Sequence, residues 1–426
     1  MTVAALRRAD AAAGGLAVDL VLYAAGAAFA LLTAATSTLL PHRAWGWVAL
    51  AGYAAAAVVA AAQWLAHRRG PGSFSGTRAR GALAVLTWGA TALLPLAGQA
   101  VQRAAGRADR AQEEVVVVEH AGRRLVEHGT PYLSTEAIAA SPPADWLLGY
   151  VPYQPGMALF GLPRALAGDA WWTDARVWFA AATAVALALA VAALRRVARG
   201  ADLVRAVQAA TVLPVCALTL ATGGDDLPVL ALCLLALAWC ARDRFGAAGV
   251  AAGAAGALKL FAWPVTLVLL CHALARGREP LGRFAGGAIG LPALALLPAL
   301  AVDATAFVDN VIRFPLGDAL VTTPAQSPFP GHLIAEGLPG GRAIAGALLV
   351  AAGVAIAVRL ARRPVRSAAA AAAVCATGLL AAILLMPSTR FGYRLYPVAF
   401  ALWVPALRPA PTAVGDPPAR AAAPGR

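Results

Sequence analysis

The chain has 426 residues, 60% of them hydrophobic and only 13% charged, which is too apolar for a soluble domain whose surface needs polar cover. A formal charge of +14 would point to nucleic acid in a soluble protein, but here the arginines are scattered through short segments between apolar stretches and read as topology signals. Nucleic acid is therefore set aside as a partner, and the length counts membrane spans of about 20 residues each.

Apolar runs occupy residues 16–40, 45–66, 81–101, 174–194, 205–222, 226–241, 245–275, 281–302, 342–358, 367–386 and 393–408. The first is long and no small-residue cleavage site follows its core, so it reads as a retained span, not a signal peptide. The run at 245–275 is too long for one span, carries Gly and Pro, and is expected to be a hairpin of two short helices. The fold class is therefore an all-α polytopic membrane protein with about twelve spans. An N-terminus in the cytoplasm puts the Arg clusters around Arg68, Arg80, Arg195, Arg205, Arg242, Arg276 and Arg362 inside, as the excess of cytoplasmic cations requires. This predicts a multi-pass plasma-membrane protein with both termini cytoplasmic.

The same arrangement leaves two long external loops, 102–173 and 303–341, and places 15 of the 21 carboxylates outside. Acidic residues contribute little to topology, so that skew hints at an external polar site. Within the first loop, Tyr150 to Gly168 is apolar and reads as an interfacial or re-entrant helix, with Trp146, Tyr150, Tyr153, Trp171 and Trp172 at headgroup level. The five cysteines lie inside apolar runs without paired spacing and read as small buried hydrophobes.

Candidate chemistry follows in chain order. Asp19, inside the first span, marks helix packing or a proton path. Glu113, Glu114 and Glu119 flank Val115 to Val118, a segment that suits either a short strand or an amphipathic helix beside the bilayer. A carboxylate there can act as general base towards a hydroxyl, or be a loop charge paired with Arg123 and Arg124. Asp225 and Asp226 follow Gly223-Gly224 in a tight turn and either bind a cation or sugar hydroxyls or cap the next helix. Lys259, the only lysine, stands midway through the 245–275 run and should face a cavity, a carboxylate or an anionic ligand unless it snorkels to headgroups. Arg313 and His332 lie in the second external loop. Arg390 and Arg394, interleaved with Tyr393 and Tyr396, oppose the positive-inside trend and favour an anion site.

Several of these segments form a pattern. Glu114 precedes Ala121 by seven residues, and Gly129-Thr130-Pro131-Tyr132 follows. Next come Tyr150-Val151-Pro152-Tyr153-Gln154-Pro155, Gly224-Asp225-Asp226-Leu227, the run ending at Lys259, and Arg390 to Pro397. In this order they resemble glycosyltransferase family 87 of the GT-C class, whose members include polyprenyl-phosphomannose-dependent mannosyltransferases. The family usually carries Asp where Glu114 stands.

The resemblance implies a GT-C-like bundle over residues 81–408, with interfacial helices in its external loops. Residues 1–80 would be two additional N-terminal spans, and the Pro/Ala-rich residues 409–426 a disordered cytoplasmic tail. It further implies inverting transfer of mannose from a polyprenyl-phosphate sugar to a lipid or glycan acceptor at the extracytoplasmic face. Glu114 would be the base, with Glu113 and Glu119 as alternatives. Lys259, Arg390, Arg394, Arg313 and His332 would stabilise the leaving phosphate, and Asp225, Asp226, Tyr132 and Tyr153 would complete substrate binding. Neither a metal nor a cofactor beyond the donor lipid is implied, and no Gly-rich phosphate loop follows a strand. The rival readings are a transporter or flippase, for which Lys259 and Asp19 speak but no internal repeat does, and a non-catalytic scaffold.

Overall fold

A computed structural model describes residues 13–408; the tail expected at 409–426 lies outside them. Helices make up the architecture, and among the described residues the sole β-pairing is an isolated bridge between Gln326 and Thr389. Among the described residues, seven helices are long and apolar enough to cross a membrane: α1 (Leu16–Thr36), α2 (Leu40–Arg69), α3 (Thr77–Ala104), the helices at Ala175–Leu194 and Arg278–Leu316, and those at Gly341–Arg362 and Ala368–Leu385. An eighth is added when the pair Gly200–Ala210 and Pro214–Thr222, bent by 44°, is taken as one span.

The difference from twelve has a physical origin. The helices Asp226–Cys240, Phe245–Leu258 and Ala262–Arg276 rise only about 21–23 Å, short of a hydrocarbon core of about 30 Å. Almost every residue of Asp226–Cys240 is buried, so its all-round apolarity is that of a protein interior and not of a lipid-facing span. The hairpin expected over 245–275 is present, its two helices broken at Lys259, Leu260 and Phe261. The last apolar run keeps only Leu395–Trp403 as α-helix.

Close helix approach is set by glycine. A Cβ on Gly253 would collide with the Gly287 carbonyl, and one on Gly249 with that of Phe284. The Gly249/Gly253 spacing thus forms a small-residue seam between Phe245–Leu258 and Arg278–Val308.

The first two spans are joined to the rest by buried polar contacts. Trp45 Nε1 donates to Thr91 O at 2.7 Å, and Tyr53 Oη donates to Val212 O at 2.7 Å. That second bond satisfies a carbonyl freed where the bent pair breaks before Pro214. At the far end of the bundle from residues 37–39, Asp19 is buried among Arg80 (2.6 Å), Arg205 and Gln208 (2.8 Å). It is therefore a packing residue in an ion cluster, and Arg80 and Arg205 act as its partners as well as carrying topology.

Between Ala104 and Ala175 the chain forms short helices, the longest being α4 (Glu113–His128). Four consecutive valines favour a strand by propensity, yet the segment is helical because Val115, Val117, Val118 and Ala121 bury against the bundle. Glu113 and Glu114 in its first turn complement the helix dipole. Gly129, with φ 72°, ends it. The stretch after Tyr150 departs from the expected interfacial helix: Pro155–Gly161 is a 3₁₀ turn and only Leu162–Ala167 is α-helical. Backbone contact between Gly161 and Val118 seats it on α4. Tyr150 and Tyr153 are buried, not at headgroup level, whereas Trp171 and Trp172 stay exposed.

Candidate active site

Seven chain segments end at one cavity of about 780 Å³, a size that encloses a ligand such as a sugar phosphate. They are the α1–α2 turn, the start of α4, the turn at 222–226, the break at 259–261, the loops at 147–153 and 311–325, and the segment 386–394. Helix ends meet here because each helix stops at a break the sequence supplies: Gly223-Gly224 before Asp226, Lys259 between two half-helices, and Met386-Pro387 after Leu385.

Glu113 and Glu114 both line the cavity. Gly223 makes room for the neighbouring Gln112, since a Cβ there would stand 3.0 Å from Gln112 Oε1, and 3.8 Å from Glu114 Oε2. Gln112 is fixed by the same turn: its backbone N–H donates to Thr222 O at 3.0 Å, and Thr222 Oγ1 donates to its side-chain oxygen at 2.7 Å. The Glu114 carboxylate contacts the Arg390 guanidinium, with side-chain exposures of 14% and 31% respectively.

Lys259 also lines the cavity and is held by two carboxylates, Asp225 at 2.8 Å and Asp226 at 2.6 Å. Its ammonium lies 5.2 Å from the Tyr153 ring centre and 5.6 Å from that of Tyr393, and Tyr396 Oη donates to Asp226 at 2.8 Å. Of the readings open in the sequence, carboxylate and cavity therefore hold together and snorkelling does not. Burial, then the neighbouring Asp225, pushes the Tyr153 phenol well above its usual range, so it stays neutral. Arg394 lies over the rings of Phe391 (5.0 Å) and Phe329 (5.8 Å) and donates to Phe391 O; among the described residues no carboxylate is paired with it.

Four expected site residues lie elsewhere. Glu119 is buried in a separate network, bound by Arg103 at 2.6 Å and Arg164 at 3.2 Å, and accepts from Ala175 N. This corrects its candidacy as a base: with its oxygens engaged by two guanidiniums and no place on the cavity wall, it has no path to a hydroxyl. Arg313 pairs with Asp309 at 2.7 Å and points away. The His332 ring bonds to Pro387 O at 2.9 Å, supporting the 386–394 segment from behind. Tyr132 supports Tyr153 by donating to its carbonyl at 2.7 Å; burial raises its pKa as well.

Conversely, Phe29, His42 and Gln112 line the cavity without having been singled out. Gln112 adjoins Glu113 and could have been found by adjacency. Phe29 and His42 sit in spans set apart from the core, and nothing in their local sequence points here. Val215, Leu218, Leu379 and Ala382 continue the wall as an apolar surface. Among the described residues no three His, Cys, Asp or Glu side chains converge as a metal site would require, and Asp225 and Asp226 are taken up by Lys259.

Such an arrangement offers a carboxylate within reach of a hydroxyl, cations for a phosphate and apolar walls for a lipid chain. The sequence profile of glycosyltransferase family 87 matches residues 150–387. Two solved structures are distantly similar in fold: ArnT from Cupriavidus metallidurans in the apo state (18% identity, TM-score 0.42, 69% of this chain and 54% of that one) and the same protein bound to undecaprenyl phosphate (17% identity, TM-score 0.47, 76% and 59%). The chain spans little more than half the length of these proteins. No curated protein matches it.

Proposed function

Because the chain belongs to glycosyltransferase family 87, membrane glycosyltransferases of the GT-C class, we propose that this cavity transfers mannose from a polyprenyl-phosphate donor to a lipid or glycan acceptor at the extracytoplasmic face. The observation that carries the reading is the presence of Glu114, Arg390 and Arg394 on the wall of one cavity that continues into an apolar surface. The prenyl chain lies along Phe29, Val215, Leu218, Leu379 and Ala382, and the phosphate meets Arg390 and Arg394. The sidedness is inferred from the Arg distribution, which puts this end of the bundle outside.

In the transfer step an acceptor hydroxyl oxygen attacks the anomeric carbon from the face opposite the phosphate, and a new C–O bond forms as the bond to the phosphate oxygen breaks. Glu114 takes the hydroxyl proton, the electron pair stays on the phosphate, and polyprenyl phosphate leaves with inversion. A phosphate needs no proton to depart, so one base suffices. Arg390 and Arg394 stabilise the charge that builds on it. Lys259, bound by Asp225 and Asp226, holds the two half-helices and the 222–226 turn in register beneath the site.

Proteoliposomes given radiolabelled polyprenyl-phosphate mannose and a membrane extract as acceptor test this. Glu114→Gln is expected to lower transfer by about 10²–10⁴-fold without loss of thermal stability. Glu119→Gln is expected to lower stability first. Transfer unaffected by Glu114→Gln would remove the proposed base.

A further inference from the structure

The contact between Glu114 and Arg390 joins the group that must accept a proton to a group that must meet a phosphate. The two assignments conflict, because a carboxylate bound to a guanidinium is a weaker base and a guanidinium bound to a carboxylate is a weaker anion site. We infer that Arg390 is exchanged between them: it holds Glu114 while the cavity is empty and passes to the donor phosphate when the lipid binds, which frees the carboxylate to act. This rests on the reading of the cavity as a lipid-phosphate site, and adds to it an order of events.

Geometry and surroundings favour the exchange. Among the described residues Glu114 has Arg390 as its single ionic partner, unlike buried Glu119 and Asp174, each of which is fixed by two arginines. Among the described residues Arg390 has no second carboxylate, and its side chain is partly open to the cavity. The pair stands on the wall of an open cavity and is not sealed in the interior, so a ligand can compete for it, and a guanidinium meets phosphate oxygens through strong bidentate bonds. The other charged and titratable groups around the cavity do not substitute for Arg390. Lys259 is committed to Asp225 and Asp226, Arg394 lies between phenyl rings, Glu113 repels phosphate, and His42 and Tyr393 carry no fixed opposing charge.

One consequence is order. An acceptor reaching an empty cavity finds its base still paired, and deprotonation waits for the donor. A second concerns charge in the reaction itself. As the hydroxyl proton neutralises Glu114, the departing phosphate gains negative charge, so Arg390 moves with the charge instead of being stranded beside a neutral acid.

Undecaprenyl phosphate alone is a sufficient probe, with binding measured on the full-length protein in nanodiscs by native mass spectrometry and folding checked by thermal unfolding. Glu114→Gln, which removes the competitor, should bind it about tenfold tighter than wild type, and Arg390→Gln about tenfold weaker. In the double variant, the tightening due to Glu114→Gln should be absent. Glu114→Asp, which keeps the charge but draws it back, should tighten binding about twofold and serves if the glutamine variant folds poorly. Tightening that persists without Arg390 would mean simple repulsion through space and overturn the exchange. Equal binding by wild type and Glu114→Gln, with weakening by Arg390→Gln and Arg394→Gln, would overturn it too while leaving the phosphate site standing. Binding indifferent to both arginines would sink the site itself.

Discussion

Three carboxylates within seven residues, Glu113, Glu114 and Glu119, take different fates, and helix geometry separates them. Residues five apart on a helix lie about 140° around its axis, so α4 cannot turn Glu114 and Glu119 to the same cavity. Glu119 joins Arg103, Asp174 and Arg176 in a buried ionic layer. Burial opposes the charged form of Asp174, but hydrogen bonds and charge from Arg176, then the charge of Arg103, outweigh it and hold the carboxyl at about 2. That lies below the unfolded value, so the stabilisation is complete above about pH 4 and fades as pH falls from there towards 2; it is worth about 2 kcal/mol. Thermal unfolding in detergent across this range should show the loss in wild type and lack it in Asp174→Asn. That variant should also be less stable at neutral pH by about 3–5 kcal/mol, because Arg176 keeps its charge in a dry place. Glu114, Lys259 and Asp225, which line the cavity, stood out in the sequence because charge is rare in such a chain and costly where it stands. Arg313 and His332 were misplaced because nothing local to a loop says which way it folds back.

At the level of elements, the apolar runs were legible and their lengths were not. Hydropathy marks Asp226–Cys240 as strongly as any true span, since lipid and protein interior are equally apolar; only packing reveals that it is enclosed. The hairpin at 245–275 could be read because Gly, Pro and a lone cation break the run. What could not be read is how near its helices come to others. The seam at Gly249 and Gly253 depends on the backbone of Arg278–Val308, a separate element. Gly253→Ala must push the Gly287 carbonyl, and with it that helix, away from Phe245–Leu258 and is expected to cost about 1–3 kcal/mol. Gly290→Ala, where a methyl meets nothing within 4 Å, should melt like wild type. Equal melting temperatures for the two variants would contradict the seam.

For the whole molecule, the proposed orientation puts Phe391 outside and Arg366 inside, and both are exposed. Of the five native cysteines, four are buried and Cys271 is partly so. New cysteines should therefore stand out against a low background. A membrane-impermeant maleimide is expected to label Phe391→Cys in intact cells and Arg366→Cys only after permeabilisation; the reverse pattern would place the cavity in the cytoplasm. The two N-terminal spans belong to the working molecule by geometry, as Phe29 and His42 complete the cavity wall and Asp19 clamps Arg80 and Arg205 at the other end.

The cluster around Lys259 has a consequence for substrates. One ammonium between two aspartates leaves a surplus negative charge, which Glu113 adds to, while Arg390 and Arg394 bring positive charge on the segment whose Tyr393 packs against Lys259. In the proposed reaction the arginines would meet the phosphosugar and the acidic groups would be left to the hydroxyl-rich acceptor, so charge would sort the two reactants before any hydrogen bond selects them.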